Sequence, residues 1–327
     1  MRKGLKTFIF GLVALIVVLA GCSSQSSGGS SASAYPKKTI KLIVPWSAGG
    51  DTDAIFRLVA AGLEKQLGQT VVVKNISGGG GTVGALKVLN ADSDGYTLLA
   101  GHDSIAMSYL TGKTDFGYFD FEPVSLMTST YDAIATNPAS PWDSMKEVVK
   151  DAKANPGKIT FGASIGSTSQ LEPALIQAAA DIKFNIVGYE GTAERMQAIV
   201  GNHLKLGGVS VVAGKEYLKA DKMKLLGYMG PERSSVLPDV PTLKEQGIDV
   251  VSATNRGVYA PKGTPEEIVK KLSAALKKVA NSDKFKSKMK KLGTDVNYKG
   301  YKEYNKYLKE NKKDMEEALE KSGLLKK

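Results

Sequence analysis

Four short segments of the 327-residue chain concentrate small residues and hydrogen-bond donors: WSAGGDT (46–52), SGGGGT (77–82), SIGSTS (164–169) and YEGT (189–192). Each follows an apolar, strand-like run and precedes a helical pattern. Glycines at such turns let a ligand approach the backbone closely, and the N–H groups of a helix's first turn attract anions. Phosphate, nucleotide and carboxylate all fit that chemistry. Ser, Thr and Gly are also ordinary helix caps, so one such turn says little. Four of them, two in each half of the chain, say more, because in an open α/β sheet they gather beyond the carboxyl ends of the strands, where ligands bind.

Three motifs compete with that reading. Gly79, Gly81 and Gly84 satisfy the dinucleotide fingerprint G-x-G-x-x-G, with Asp103 about 20 residues on. This is the second strand-to-helix turn, however, whereas the fingerprint usually occupies the first. "GASIG" (162–166) matches the nucleophile elbow G-x-S-x-G, and Ser164, Asp181 and His203 follow in hydrolase order. The oxyanion-hole glycines of that fold are not evident upstream. "GVSVVAGKE" (208–216) misses the phosphate-loop pattern in spacing and has Glu216 where Ser or Thr is required. Metal chemistry is poorly supplied: His102 and His203 are the only histidines, Cys22 is the only cysteine, and neither H-E-x-x-H nor a paired C-x-x-C occurs. No cofactor and no metal are expected.

Arg2, Lys3 and Lys6 precede an apolar run from Phe8 to Ala20 that ends in Leu-Ala-Gly-Cys at Cys22. The run is too short for a membrane span, and basic residues followed by small ones mark a signal peptide over 1–21. Leu-Ala-Gly-Cys resembles a bacterial lipobox, which implies cleavage before Cys22 and its lipidation. That location has little access to NAD. Residues 22–34, rich in Ser and Gly, read as a flexible tether. Loss of residues 1–21 removes three positive charges and lowers the formal charge from +11 to +8. Much of the excess sits in the lysine-rich stretch 270–293, where lysines alternate with apolar residues at helical spacing. A nucleic-acid face needs interleaved aromatics, and only Phe285 is offered. A solvated helix face near anionic lipid is the expectation instead.

The rest is long enough for two cores. "TIKLIVPW" reads as a buried strand, and the next helix puts Ile55, Leu58, Val59, Leu63 and Leu67 on one face before Gly68. Strands at "TVVVKN" and "YTLLAGH" flank a helix at "TVGALKVLNA", which argues for a mostly parallel sheet covered by helices. Pro138 and Pro141 then break the pattern. A second unit follows, with helices at 144–155, about 170–180 and 192–202, and strands at "KITFGAS", "FNIVGY", "HLKLGGVSVV" and "MKLLGYM". "VVSATNRGVYAP" is a long extended segment returning to the first unit, and two amphipathic helices follow from about Pro265 and Lys302.

Several long motifs, in order, carry a family resemblance: "YPKKTIKLIVPWSAGGDTDAIFRLVAAGLEKQLGQTVVVKNISGGGGTVGALKV", "SDGYTLLAG", "YEGTAERMQAIVGN", "RSSVLPDVPTLKEQGIDV" and "NRGVYAPKGTPEEIVKKLSAAL". From Tyr35 onward the chain resembles the substrate-binding proteins of tripartite tricarboxylate transporters, the Bug family. The resemblance implies a two-domain, type II periplasmic-binding-protein fold of α/β class, with domain 1 at 35–137 and 255–327 and domain 2 at 138–254. It implies a small carboxylate in the cleft and a two-component membrane permease as partner, driven by an ion gradient. Carried over residue by residue, the ligand set is Ser47, Gly49, Gly50, Gly80, Gly81, Thr82, Gly166, Ser167, Thr168, Tyr189, Gly191 and Thr192, with Asp103 counted beside them. The chain departs from the family at Lys205, where an aspartate is common in amino-acid binders, and at Asn255, where tryptophan is frequent. Lys205 therefore points to a second carboxylate on the ligand. The expectation is a monomeric, non-catalytic, lipid-anchored receptor for a di- or tricarboxylate on the outer face of the cell membrane, in the periplasm if the cell is Gram-negative. A lipoprotein serine hydrolase and a receptor feeding a sensor kinase are the alternatives.

Overall fold

The computed structural model describes residues 35–189 and 192–326, so the predicted signal peptide, the tether, Cys22 and Gly191 lie outside the described residues. Strand β1 (Ile40–Val44) is buried along nearly its whole length and pairs in parallel with β2 (Val71–Asn75) and β3 (Thr97–His102). Helix α1 (Asp51–Leu67) follows β1. Acidic Asp51 and Asp53 open it, in accord with the positive end of a helix dipole, and Gly68 closes it at φ +67°, donating its N–H to Glu64 O. Its apolar face buries Ile55, Phe56, Val59 and Leu63. Helices α2 (Thr82–Leu89) and α3 (Ser104–Leu110) follow β2 and β3.

The sequence patterns give no hint of β4 (Phe121–Thr136), the longest strand, which joins the two halves of the sheet. Its leading part pairs antiparallel with β9 (Ala253–Pro261) and β10 (Asp295–Gly300), and its last residues pair with β7 (Leu206–Ser210) and β8 (Lys224–Tyr228). The order across the sheet is β2-β1-β3-β9-β4-β7-β5-β6, with β5 at Thr160–Ala163 and β6 at Asn185–Gly188. Within each half the strands with helical crossovers are parallel, as β5 is to β6 and β7. The sheet is nevertheless mixed, because β4 and β9 run antiparallel to their neighbours.

The second half carries α4 (Met145–Ala154), α5 (Thr168–Ala180), α6 (Thr192–Val200) and α7 (Val211–Lys219). One core gathers around Leu99, Met107, Phe121 and Tyr259 in the first half; two more, around Phe161 and Leu206 and around Ile199 and Val209, cover the faces of the second. Pro36–Lys327 packs as one compact unit. The lysine-rich stretch forms α8 (Glu266–Asn281) and α9 (Asp283–Lys291), divided at Ser282, whose hydroxyl accepts the Phe285 N–H. Leu272, Leu276, Phe285 and Met289 point inward. Helix α10 (Tyr301–Lys321) ends the fold, and no described helix is long and apolar enough to cross a membrane.

Candidate functional site

The carboxyl ends of β1, β2 and β3 and those of β5, β6 and β7, which run the opposite way, point toward each other across the middle of β4, where antiparallel β9 begins. A cavity of about 260 Å³ opens at this junction. All four donor-rich segments reach it, through Trp46 and Asp51, Gly80, Ser167 and Thr168, and Thr192. Thr130 and Asp132 enter where the pairing of β4 passes from the first half to the second.

Two arginines dominate its chemistry. They are the buried cations among the described residues, Arg195 at 2% and Arg256 at 6% exposure. The Arg256 side chain, on β9, is held by hydroxyls: Nε donates to Thr52 Oγ1 at 3.0 Å and Nη1 to Thr130 Oγ1 at 2.6 Å. Burial pulls its pKa down from the ordinary arginine value, while Asp51, Asp132 and Asp103 oppose that shift. Arg195 rises from α6 across two glycines. A Cβ on Gly162 of β5 would stand 2.9 Å from its Cγ, and one on Gly207 of β7 3.2 Å from its Cδ. Its Nη2 donates to Gly208 O at 3.2 Å and Thr192 Oγ1 at 3.3 Å, and its buried Nε has no hydrogen-bond partner among the described residues.

Facing them are carboxyls. Glu172 of α5 and Asp132 of β4 line the cavity together, and each perturbs the titration of the other. Burial is the main cause that raises both above the usual carboxylate range, Glu172 the further because the Asp132 charge adds to it; Arg195 opposes both shifts. Gly208 makes this possible, since any Cβ there would overlap Glu172 Oε2. His102, at the end of β3, accepts the Ser104 N–H on Nδ1 at 3.1 Å. Burial, reinforced by Arg256, pushes its pKa well below the usual value, so the ring is neutral and carries its proton on Nε2. It stacks on Trp46 with centroids 3.7 Å apart.

These contacts give the glycine-rich motifs a different role from the one expected. Gly81 sits at φ +100°, and a Cβ on it would come within 2.8 Å of Trp46 Cζ2, so the bare backbone makes room for that ring. Gly84 likewise lies against Pro45 and Ile76 O, and the dinucleotide reading lapses. Gly162 seats Arg195. His203 is exposed ahead of the amino end of β7 while Ser164 follows the carboxyl end of parallel β5, which puts the two at opposite ends of these strands. Asp181 caps the far end of α5, about 19 Å of helix beyond Thr168. The three do not form a triad.

Of the residues expected to bind, Gly80, Ser167, Thr168 and Thr192 line the cavity. Ser47, Gly49 and Gly50 form an exposed turn beside it, and the Gly49 N–H is already spent on Asp53 Oδ2 at 2.9 Å. Gly81 lies against Trp46, and Thr82 Oγ1 donates to Gly79 O at 3.0 Å. Gly166 donates its N–H to Gln170 Oε1 at 2.6 Å and accepts from Ser108 Oγ at 3.3 Å. Tyr189 packs against the second-half core. Asp103 belongs to a neighbouring cavity, where Tyr118 OH donates at 2.6 Å and the Asn255 N–H and amide at 2.8 and 2.9 Å; burial outweighs these bonds and lifts its pKa to about 6. Lys205, expected in the cleft, stands instead ahead of β7, at the opposite end from Ser210, with Nζ on Asn202 Oδ1 at 3.1 Å. A larger groove of about 830 Å³ elsewhere holds Arg233, Lys277, Lys286 and Lys290, all exposed. Sequence reasoning missed Arg195, Arg256, Asp132, Glu172, His102 and Trp46 at this site. The only signal was weak: a chain with 44 basic residues has five arginines, and four of them, Arg57, Arg195, Arg233 and Arg256, stand in the quoted motifs.

Residues 55–324 match the family described as tripartite tricarboxylate transporter family receptor. A protein of Cupriavidus necator is 34% identical over 295 residues, covering 89% of this chain and 90% of its own. A Rhodopseudomonas palustris protein solved with adipate superposes with a TM-score of 0.78 at 27% identity, covering 88% of this chain and 98% of its own. MatC from Rhodopseudomonas palustris, solved with bound malate, gives 0.76 at 27% identity over 87% of this chain and all of its own.

Proposed function

This chain belongs to the tripartite tricarboxylate transporter receptor family, which includes the Bug solute-binding proteins, and we propose that it captures a small di- or tricarboxylate outside the cytoplasm for delivery to a membrane permease. The observation that carries this reading is the pair of buried guanidiniums, Arg195 and Arg256, brought to one cavity from the two halves of the sheet. Guanidinium and carboxylate match in a bidentate, charge-assisted geometry. Adipate and malate, bound by two relatives, each carry two carboxylates. Hydroxyls from Thr130, Ser167, Thr168 and Thr254 and the neutral His102 are suited to complete the shell.

On this reading the protein is a monomeric receptor without catalysis. Residues 35–137 with 255–327 form one lobe and 138–254 the other; they close over the ligand, with β4 and β9 as the crossings. Cys22 anchors it by lipid to the outer face of the membrane, and Cys22→Ser releases it from cells. A thermal-shift series with mono-, di- and tricarboxylates tests the ligand class, since a ligand at 100 times its Kd adds about 2.7 kcal/mol. Stabilisation by none of them contradicts the reading.

A further inference from the structure

The carboxyl pair lines the cavity beside the two arginines, and its position needs an account. Asp132 lies where β4 passes between the halves, and Glu172 reaches it from α5 over the bare backbone of Gly208. Glu172 Oε2, buried, has no hydrogen-bond partner among the described residues. The charged and titratable groups that line the cavity with the pair are Arg195 of α6, Arg256 of β9, Asp51 at the start of α1 and the neutral His102 of β3. Two carboxyls lining one cavity disfavour double ionisation, and the pair holding one proton carries a single negative charge. Together with Asp51 it offsets the two arginines, so the cavity is close to neutral without ligand.

Resting on the carboxylate reading above, we propose that Asp132 and Glu172 couple the cavity's ligand to a proton, so that a dicarboxylate dianion is taken up together with one H⁺. A dianion engages the guanidiniums that otherwise stabilise the Asp132 charge and adds negative charge beside it. Both changes favour the protonated form of a carboxyl. The proton comes from solvent and adds to a carboxylate oxygen of Asp132; no other bond forms or breaks. Both carboxyls are then neutral, and the cavity discriminates by charge as well as by shape.

Isothermal titration of adipate and malate into the whole protein, between about pH 6.5 and 8 where both acids are dianions, reads this directly. Repeating the titration in buffers of different ionisation enthalpy counts protons. The expected result is uptake approaching one proton per ligand, with Kd weakening by up to about tenfold per pH unit. Glu172→Gln, which keeps the shape, and independently Asp132→Asn, are expected to abolish the uptake and flatten the pH dependence, with thermal unfolding curves confirming that each variant is folded. Wild-type binding with no proton exchange, or uptake that persists in the folded variants, overturns the coupling and leaves the receptor reading intact. Binding of neither acid overturns both.

Discussion

Arg256 and Arg195 face the same cavity from opposite halves of the sheet, yet they are held differently. In the first half, Arg256 is fixed by Thr52 and Thr130 hydroxyls and by the Thr254 carbonyl, so it presents its remaining donors without reorganisation. In the second, Arg195 lies over two glycines with Nε unpaired among the described residues and the Asp132–Glu172 carboxyl pair as neighbour. A preorganised donor is stronger toward an anion than one that must rearrange. The first half is therefore the anchor, and the second adjusts to what is anchored.

The sharpest way to break this contrast is to remove each guanidinium in turn. Arg256→Ala is expected to cost about 2–5 kcal/mol of dicarboxylate binding, roughly 30-fold to several thousand-fold in Kd, because it also strips a fixed partner from a buried site. Arg195→Ala is expected to cost less, about 1.5–3 kcal/mol. Calorimetry that ranks them the other way refutes the anchor assignment.

A smaller effect isolates how the second half holds its arginine. Gly162→Ala pushes a Cβ onto the Arg195 stem and the Leu204 side chain, and overpacking of that kind costs about 1–3 kcal/mol of stability. Denaturant unfolding measures the loss, and a wild-type midpoint would mean that the glycine is not what seats the arginine.

Asp103 offers a pH test of the first half. Its carboxyl titrates near 6 in the fold against about 3.9 in an unfolded chain. Between those values the folded state keeps a proton that the unfolded state has lost, so stability falls as pH rises from about 4 to 6 and is level above. The contribution is roughly 2–3 kcal/mol. Asp103→Asn removes that slope; an unchanged slope in urea titrations assigns it to other groups.

How legible all this was in the sequence follows from which contacts are local. Strands such as "TIKLIV" and the helix after it announce themselves by runs and periods of apolar residues. Strand β4 does not, because burial is nearly continuous along both of its faces and its core-facing positions include Ser125, Thr128 and Ser129, leaving no alternation to read. The donor-rich turns were visible, and the sheet does gather them. The expectation that their backbone N–H groups were free was not met at Gly49 and Gly166, where side chains a few residues downstream consume them. Arg195 was hidden for the opposite reason: its burial depends on Gly162 and Gly207, which are brought beneath it only by the pairing of β5 with β7. Lys205 looked apt by type but stands before its strand instead of after it.

The smallest predicted effect follows from that placement. Lys205→Ala is expected to change dicarboxylate affinity by no more than about 0.5 kcal/mol, roughly twofold, as surface substitutions do. A tenfold loss would bring the lysine back into the site and weaken the case for two arginines.

The most direct measurement is a crystal structure of the protein with a bound dicarboxylate. The account predicts carboxylate oxygens about 2.7–2.9 Å from guanidinium nitrogens of both Arg195 and Arg256, in the cavity where the carboxyl ends of the two halves of the sheet meet. A ligand held there without either arginine, or seated instead in the groove of Lys277, Lys286 and Lys290, would contradict it.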